Sequence, residues 1–255
     1  MRLQGKTALI SGAGRNNGRA IALTYAREGA DLVLIARSRS DELNEVATEC
    51  RSHGVRTLTL LGDVGDSAQA RSLARQGLEH FEKIDVLVCV AGLRPHPHFL
   101  NITDEEWHRI FAVNLHSTFY LAQALIPGMI ERGQGGSIIA LGGLAALTAQ
   151  KLGSAVVSSK SGLHGLIKSI ASEFGPHGIR ANLLVLSFID NVRTNPEWYK
   201  DIGGDFNTNS SEFESTPLRR TGTTQEVANT ALFLASDESS YVTGAHICCT
   251  GGRHL

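Results

Sequence analysis

Short apolar runs alternate along the chain with stretches whose apolar residues recur at helical spacing. Thr7–Ile10, Leu32–Ala36, Arg56–Leu61, Ile84–Val90, Ser137–Leu141, Ile179–Leu186 and His246–Thr250 read as strands. Between them, the segment carrying Ile21, Ala22 and Tyr25, then Asp41–His53, Ser67–Phe81, Asp104–Ile130, Gly153–Phe174 and Gln225–Ala235, read as helices. Thr103 with Glu106 three residues on has the spacing of a capping box at the start of the fourth helix. Strands regularly separated by helices predict βαβ units and a parallel sheet covered on both faces. The predicted fold class is therefore α/β, a single Rossmann-type doubly wound sheet in three layers, with residues 1–255 as one domain. Residues 187–216 are polar, irregular and too long for an ordinary connection. Phe188, Trp198, Tyr199 and Phe206 give that segment apolar material to dock, so it reads as a substrate-side lid, against an insertion without a role.

The turn after the first strand changes the picture from fold to site. Gly12, Gly14 and Gly18 lie in Ser11-Gly-Ala-Gly-Arg-Asn-Asn-Gly18, between a strand and a helix. Such a turn presents a helix N-terminus and free backbone N–H groups to a phosphate. The spacing departs from Gly-x-Gly-x-x-Gly because position 17 is Asn, and by itself the turn also fits an ordinary strand-to-helix connection.

Composition narrows the classes. The 255 residues are 42% hydrophobic and 19% charged, with a formal net charge of −1. That balance predicts no nucleic-acid surface, and no apolar run approaches the ~18 residues of a membrane span. The N-terminal apolar run is too short for a signal peptide, and four cysteines without framework spacing suit a reducing cytoplasm.

Several motifs in register resemble the short-chain dehydrogenase/reductase family over essentially the whole chain. Ser11 to Gly18 resembles its phosphate loop, Asp63-Val64 its adenine-contacting pair, and Cys89-Val-Ala91-Gly92 its Asn-Asn-Ala-Gly segment. Asn114 stands where the family has its helix asparagine, and Lys160 where it has the lysine of Tyr-x-x-x-Lys. Pro217–Gly222, Phe233–Asp237 and Thr243 to Gly252 resemble its C-terminal pattern. The resemblance implies a nucleotide cofactor, a small-molecule substrate and a homodimer or homotetramer. It implies cofactor contacts from Gly12, Gly14, Arg15, Asn16, Asn17, Gly18, Arg37, Asp63, Val64, Ala91, Gly92 and Lys160.

The departures fall on the chemistry. Val156 occupies the position of the family's acid Tyr, and Gly143 that of its Ser. Leu186-Ser187 replaces the usual Pro-Gly, Asn16 a loop glycine, and Cys89 an Asn. Reduction of a carbonyl needs a proton donor within hydrogen-bond reach of the developing alkoxide, and loss of that help costs ~10²–10⁴-fold. Arg37 follows the second strand, where a carboxylate would receive the ribose of NAD, so Arg37 with Arg15 favours NADP(H) over NAD(H), with no cofactor as the alternative.

Lys160, Asn114, His96 and His98 are the catalytic candidates. His96 and His98 lie in a Pro-rich segment after the fourth strand and could exchange protons near neutral pH. Two histidines without a further ligand do not make a metal site, so none is expected. The expected function is a divergent NADP-linked enzyme on a small organic substrate. The alternatives are a non-redox lyase, hydrolase or isomerase using the histidines, and a catalytically inactive nucleotide-binding or assembly protein.

Overall fold

In the computed structural model, residues 1–149, 151–192, 195, 198, 216–253 and 255 are described. Seven strands form one sheet: β1 (Thr7–Ser11), β2 (Asp31–Ala36), β3 (Thr57–Leu61), β4 (Val86–Cys89), β5 (Gly136–Leu141), β6 (Ile179–Leu186) and β7 (His246–Cys249). Their order is β3-β2-β1-β4-β5-β6-β7, and every pairing is parallel. The helices are α1 (Asn16–Arg27), α2 (Ser40–Arg51), α3 (Ser67–Phe81), α4 (Asp104–Phe111), α5 (Ser117–Arg132), α6 (Ser154–Phe174) and α7 (Thr224–Ala235).

The two-residue period of the strands sends side chains into two cores. Ala8, Ile10, Leu32, Leu34, Val86 and Val88 pack with α1, α2 and α7. Leu9, Val33, Ile35, Leu87 and Cys89 pack with α3, α5 and α6 on the other face. Each fully buried Leu or Ile contributes about 1.5–3 kcal/mol, which is why the central strands read as nearly continuous apolar runs. Between α1 and α7, the buried Tyr25 hydroxyl donates to the Ala231 carbonyl at 2.9 Å.

The structure differs from the sequence reading in one functional element. Asp104–Ile130, expected as one helix, is α4, a π-helical turn at Ala112–His116, and α5. The widened turn lets the Asn114 side chain reach the Leu93 backbone, a long-range bond invisible to helical periodicity. The capping box at Thr103 and Glu106 is present, with bonds of 3.1 and 3.2 Å. In the expected lid, Tyr199 and Phe206 lie outside the described residues. Its described start is tied down by a parallel bridge between Ile189 and Gly222.

From β1 the chain winds outward to β3, and from β4 it winds the other way to β7. The direction reverses between β1 and β4, so a crevice opens above their C-terminal ends.

Candidate active site

The glycine turn sits at that crevice. Gly12 has φ +71°, and its Cα lies against the Ala91 backbone: an added Cβ would stand 3.0 Å from the Ala91 nitrogen. At Gly18 an added Cβ would collide with the Gly12 carbonyl oxygen, so only glycine lets α1 start this close to β1. The Ser11 hydroxyl accepts from the Val90 and Ala91 amides at 3.2 and 3.4 Å, joining the turn to the end of β4. Asn16 adopts φ +49°, a conformation that Asn tolerates better than most residues. Its amide donates to the Val192 carbonyl at 2.9 Å and its side-chain oxygen accepts from the Val192 amide at 3.0 Å. The residue in place of a loop glycine thus clamps the turn to the segment after β6.

Helix α1 begins without a side-chain cap and with no acidic residue in its first turn. Its free N–H groups face a cavity of about 680 Å³ lined by Gly12, Gly14, Arg15, Asn16 and Asn17, and by Arg37, Asp63, Val64, Ala91 and Gly92. Gly18 lies beneath this lining, and Lys160 lines the neighbouring cavity.

Past β2 the cavity is strongly cationic. Arg15, Arg37 and Arg39 line it with Ser38. Glu42 is ion-paired to Arg39 at 2.5 Å, and Asp63 to Arg109 at 2.7 Å. Asp63 also accepts from the Gly65 amide at 2.8 Å. Arg15 and Arg37 have no carboxylate partner among the described residues. Sequence reasoning passed over Arg39 and Arg109. Arg39 was legible in Arg37-Ser-Arg39 just past β2, whereas Arg109 reaches the cavity only through the placement of α4.

A second cavity, of about 440 Å³, adjoins the first through Asn17, Val90, Gly92, Leu93 and Asn191. Lys160 projects into it from α6 and donates to the Leu141 carbonyl at 2.6 Å. Burial, reinforced by the nearby Arg94 charge, pulls the Lys160 ammonium down to about 8. Val156 lines the same wall one turn earlier and packs with Ile110, Ala155 and Trp107. Gly143 lines the same cavity in extended backbone, where an added Cβ would meet only the Leu186 carbonyl oxygen at 3.8 Å. Asn114 is behind the wall, 1% exposed. Its side chain accepts from the Leu93 amide at 2.7 Å and donates to the Leu93 carbonyl at 2.9 Å and the Ser159 hydroxyl at 3.1 Å. It fixes the chain that carries Gly92 and the helix that carries Lys160.

The two histidines separate. His96 is buried on the wall of the second cavity, its Nδ1 3.0 Å from the Trp198 carbonyl oxygen. His98 is exposed and outside the lining of both cavities. Arg253, which sequence reasoning missed, stacks its guanidinium over the Phe188 ring at 3.6 Å and lines the second cavity. Nothing in the local sequence marks it, because it arrives with the chain beyond β7. Among the described residues no cluster of His, Cys, Asp and Glu could hold a metal ion, and no helix is long and apolar enough to cross a membrane.

The residues present fit a dinucleotide. Asn17 and Asn191 each turn a buried side-chain oxygen that has no hydrogen-bond partner among the described residues, and both line the junction of the two cavities. With the uncapped helix and the arginines, they form a continuous cradle of donors, cations and acceptors.

A family model described as Enoyl-(Acyl carrier protein) reductase matches residues 12–254. The chain is 34% identical over 253 residues to the L-rhamnose 1-dehydrogenase (NAD(P)(+)) of Sphingomonas sp. (strain SKA58), covering 99% of this chain and 98% of that protein. It is 30% identical over 250 residues to a 3-oxoacyl-acyl-carrier-protein reductase of Staphylococcus epidermidis, covering 98% and 99%. The structure of carveol dehydrogenase from Mycobacterium avium in complex with NAD superposes with a TM-score of 0.91 at 29% identity, covering 99% of this chain and 98% of that one. By its parallel sheet, its glycine turn and these relatives, the chain belongs to the short-chain dehydrogenase/reductase family.

Proposed function

We propose that the protein is an NADP(H)-linked oxidoreductase that interconverts a small alcohol and its carbonyl compound, with Lys160 in the acid–base role. The observation that carries this reading is the continuity of the two cavities, from Arg15, Arg37 and Arg39 at one end to Lys160 at the other. Relatives named as dehydrogenases and reductases support the reaction class. An arginine beyond the second strand accommodates a 2′-phosphate, and Arg37 and Arg39 there favour NADP(H) over NAD(H).

NADP(H) bound in this cradle would supply or accept the hydride. The backbone N–H groups of α1 and the side chain of Arg15 would hold the pyrophosphate, and Arg37 and Arg39 would hold the 2′-phosphate. Gly92 and Ala91 keep the wall open beside Lys160. Asn114 acts as a positioning residue through Leu93 and Ser159. With Val156 in the Tyr position, Lys160 is, among the described residues, the one ammonium lining the second cavity. Its Nζ hands a proton to the substrate oxygen during reduction and takes one back during oxidation. A value of about 8 suits both directions, because a donor works best when its pKa lies near the operating pH. His96, held by Trp198, shapes the wall rather than pairing with His98.

Fluorescence titration with NADPH and NADH tests the reading. Binding of NADPH about tenfold or more tighter than NADH, equivalent to ~1.4 kcal/mol, is expected. No binding of either nucleotide would overturn it.

A further inference from the structure

The Lys160 amine stands in surroundings that favour its neutral form. It lines the second cavity with Leu93, Leu141, Leu144, Val156 and Leu186, and among the described residues no Asp or Glu lines that cavity. Its titratable neighbours are the Cys89 thiol at the end of β4 and the Arg94 guanidinium. Burial pushes the thiol up to about 11, so near neutral pH it carries no charge that would hold an ammonium. The bond to the Leu141 carbonyl uses one N–H and leaves the lone pair of the neutral amine unused. Beside the nitrogen the wall is open, because Gly92 lacks the Cβ that would stand 3.7 Å from Nζ. One turn earlier Val156 offers no hydroxyl to bond the amine.

A lysine desolvated among apolar walls, with another cation nearby, is an activated nucleophile. We infer that Lys160 has a second activity in the absence of nucleotide, in which its Nζ condenses with a small aldehyde or ketone in this cavity to form an imine. The Nζ–C bond forms, the carbonyl C–O bond breaks, and the oxygen leaves as water with the two hydrogens of the amine. Amine and imine are both neutral, so the apolar walls impose no charge-burial cost on the product. The cavity, of about 440 Å³, limits the partner to a small carbonyl compound. The same side chain thus serves two reactions through two protonation states. Its ammonium gives a proton during hydride transfer, and its free amine makes the covalent bond. The condensation needs no NADP(H), so it stands or falls separately from the cofactor reading.

Reductive trapping tests the inference. The full-length protein, without nucleotide, is incubated with acetone and sodium cyanoborohydride, which reduces an imine to a stable isopropylamine, and the modified peptides are identified by mass spectrometry. Near pH 8, Lys160 should be modified at least ~10-fold faster than the exposed Lys151 and Lys168, because a lysine in water is almost wholly protonated there. The rate at Lys160 should rise through about pH 8 and then level off. Gly92→Val, which fills the space beside Nζ, should slow the reaction at Lys160 and leave Lys151 and Lys168 unchanged. A Lys160 that stays unmodified, that reacts no faster than Lys151 and Lys168, or that reacts equally fast in Gly92→Val overturns the inference.

Discussion

Lys160 concentrates the acid–base chemistry into one side chain, and substituting it has two separable effects. Lys160→Met should lower kcat/KM for carbonyl reduction by ~10²–10⁴-fold, the usual worth of a positioned proton donor. It should also change how stability responds to pH. Burial holds the folded-state value near 8, below the ordinary 10.5 of an unfolded lysine. Below pH 8 both states are protonated, and the folded state bears the full cost of a desolvated ammonium. As pH rises from about 8 to 10.5, the folded state sheds its proton first and the wild-type protein gains stability. The Met variant should therefore be the more stable by on the order of 1 kcal/mol at pH 7, with the advantage fading by pH 10; chemical denaturation at several pH values measures this. Restoring the family pattern is the complementary change. At Gly143 a new Cβ meets only the Leu186 carbonyl oxygen at 3.8 Å, and the backbone is extended, so Ser fits without strain. Val156→Tyr together with Gly143→Ser should raise NADPH-dependent reduction of simple ketones by ~10²-fold or more, assayed against the parent protein. A folded but unimproved double variant would show that the two cavities do not meet as described.

Among the elements, α1 and its glycine turn carry the tightest packing requirement. Gly18→Ala drives a methyl group into the Gly12 carbonyl and should cost about 1–3 kcal/mol, with NADPH binding lost in parallel; thermal melts and titration report both. Tyr25→Phe, which removes only the hydroxyl bond to Ala231, should cost on the order of 1 kcal/mol, because the Ala231 carbonyl keeps its helical partner, while nucleotide binding persists. The strands and most helices were legible in the sequence because their apolar period is local. The break between α4 and α5 was not, because its cause is a bond from Asn114 to Leu93, 21 residues away. The same limit separates the site residues. Arg37, Lys160 and the glycines were found from their places beside strands and turns, whereas Arg109 and Arg253 enter through tertiary placement. His96 and His98, two apart in sequence and alike in chemistry, lie in different surroundings, His96 buried beside the Trp198 carbonyl and His98 exposed.

At the scale of the whole molecule, the nucleotide should join elements that the fold leaves on opposite sides of the crevice. NADPH at 100 times its Kd should add about 2.7 kcal/mol to stability, a rise of roughly 5–10 °C in Tm for a chain of this size. Arg37→Ala should reduce that rise for NADPH and leave the smaller one for NADH nearly unchanged, because it removes a partner of the 2′-phosphate alone. The most direct measurement is the single-turnover rate of NADPH oxidation with a small carbonyl substrate as a function of pH. The rate should be flat at low pH and fall through about pH 8 as Lys160 loses its proton, and Lys160→Met should be slow and show no such fall. Full turnover by the Lys160→Met protein, or a wild-type rate that does not fall above pH 8 with NADPH bound, would contradict the account.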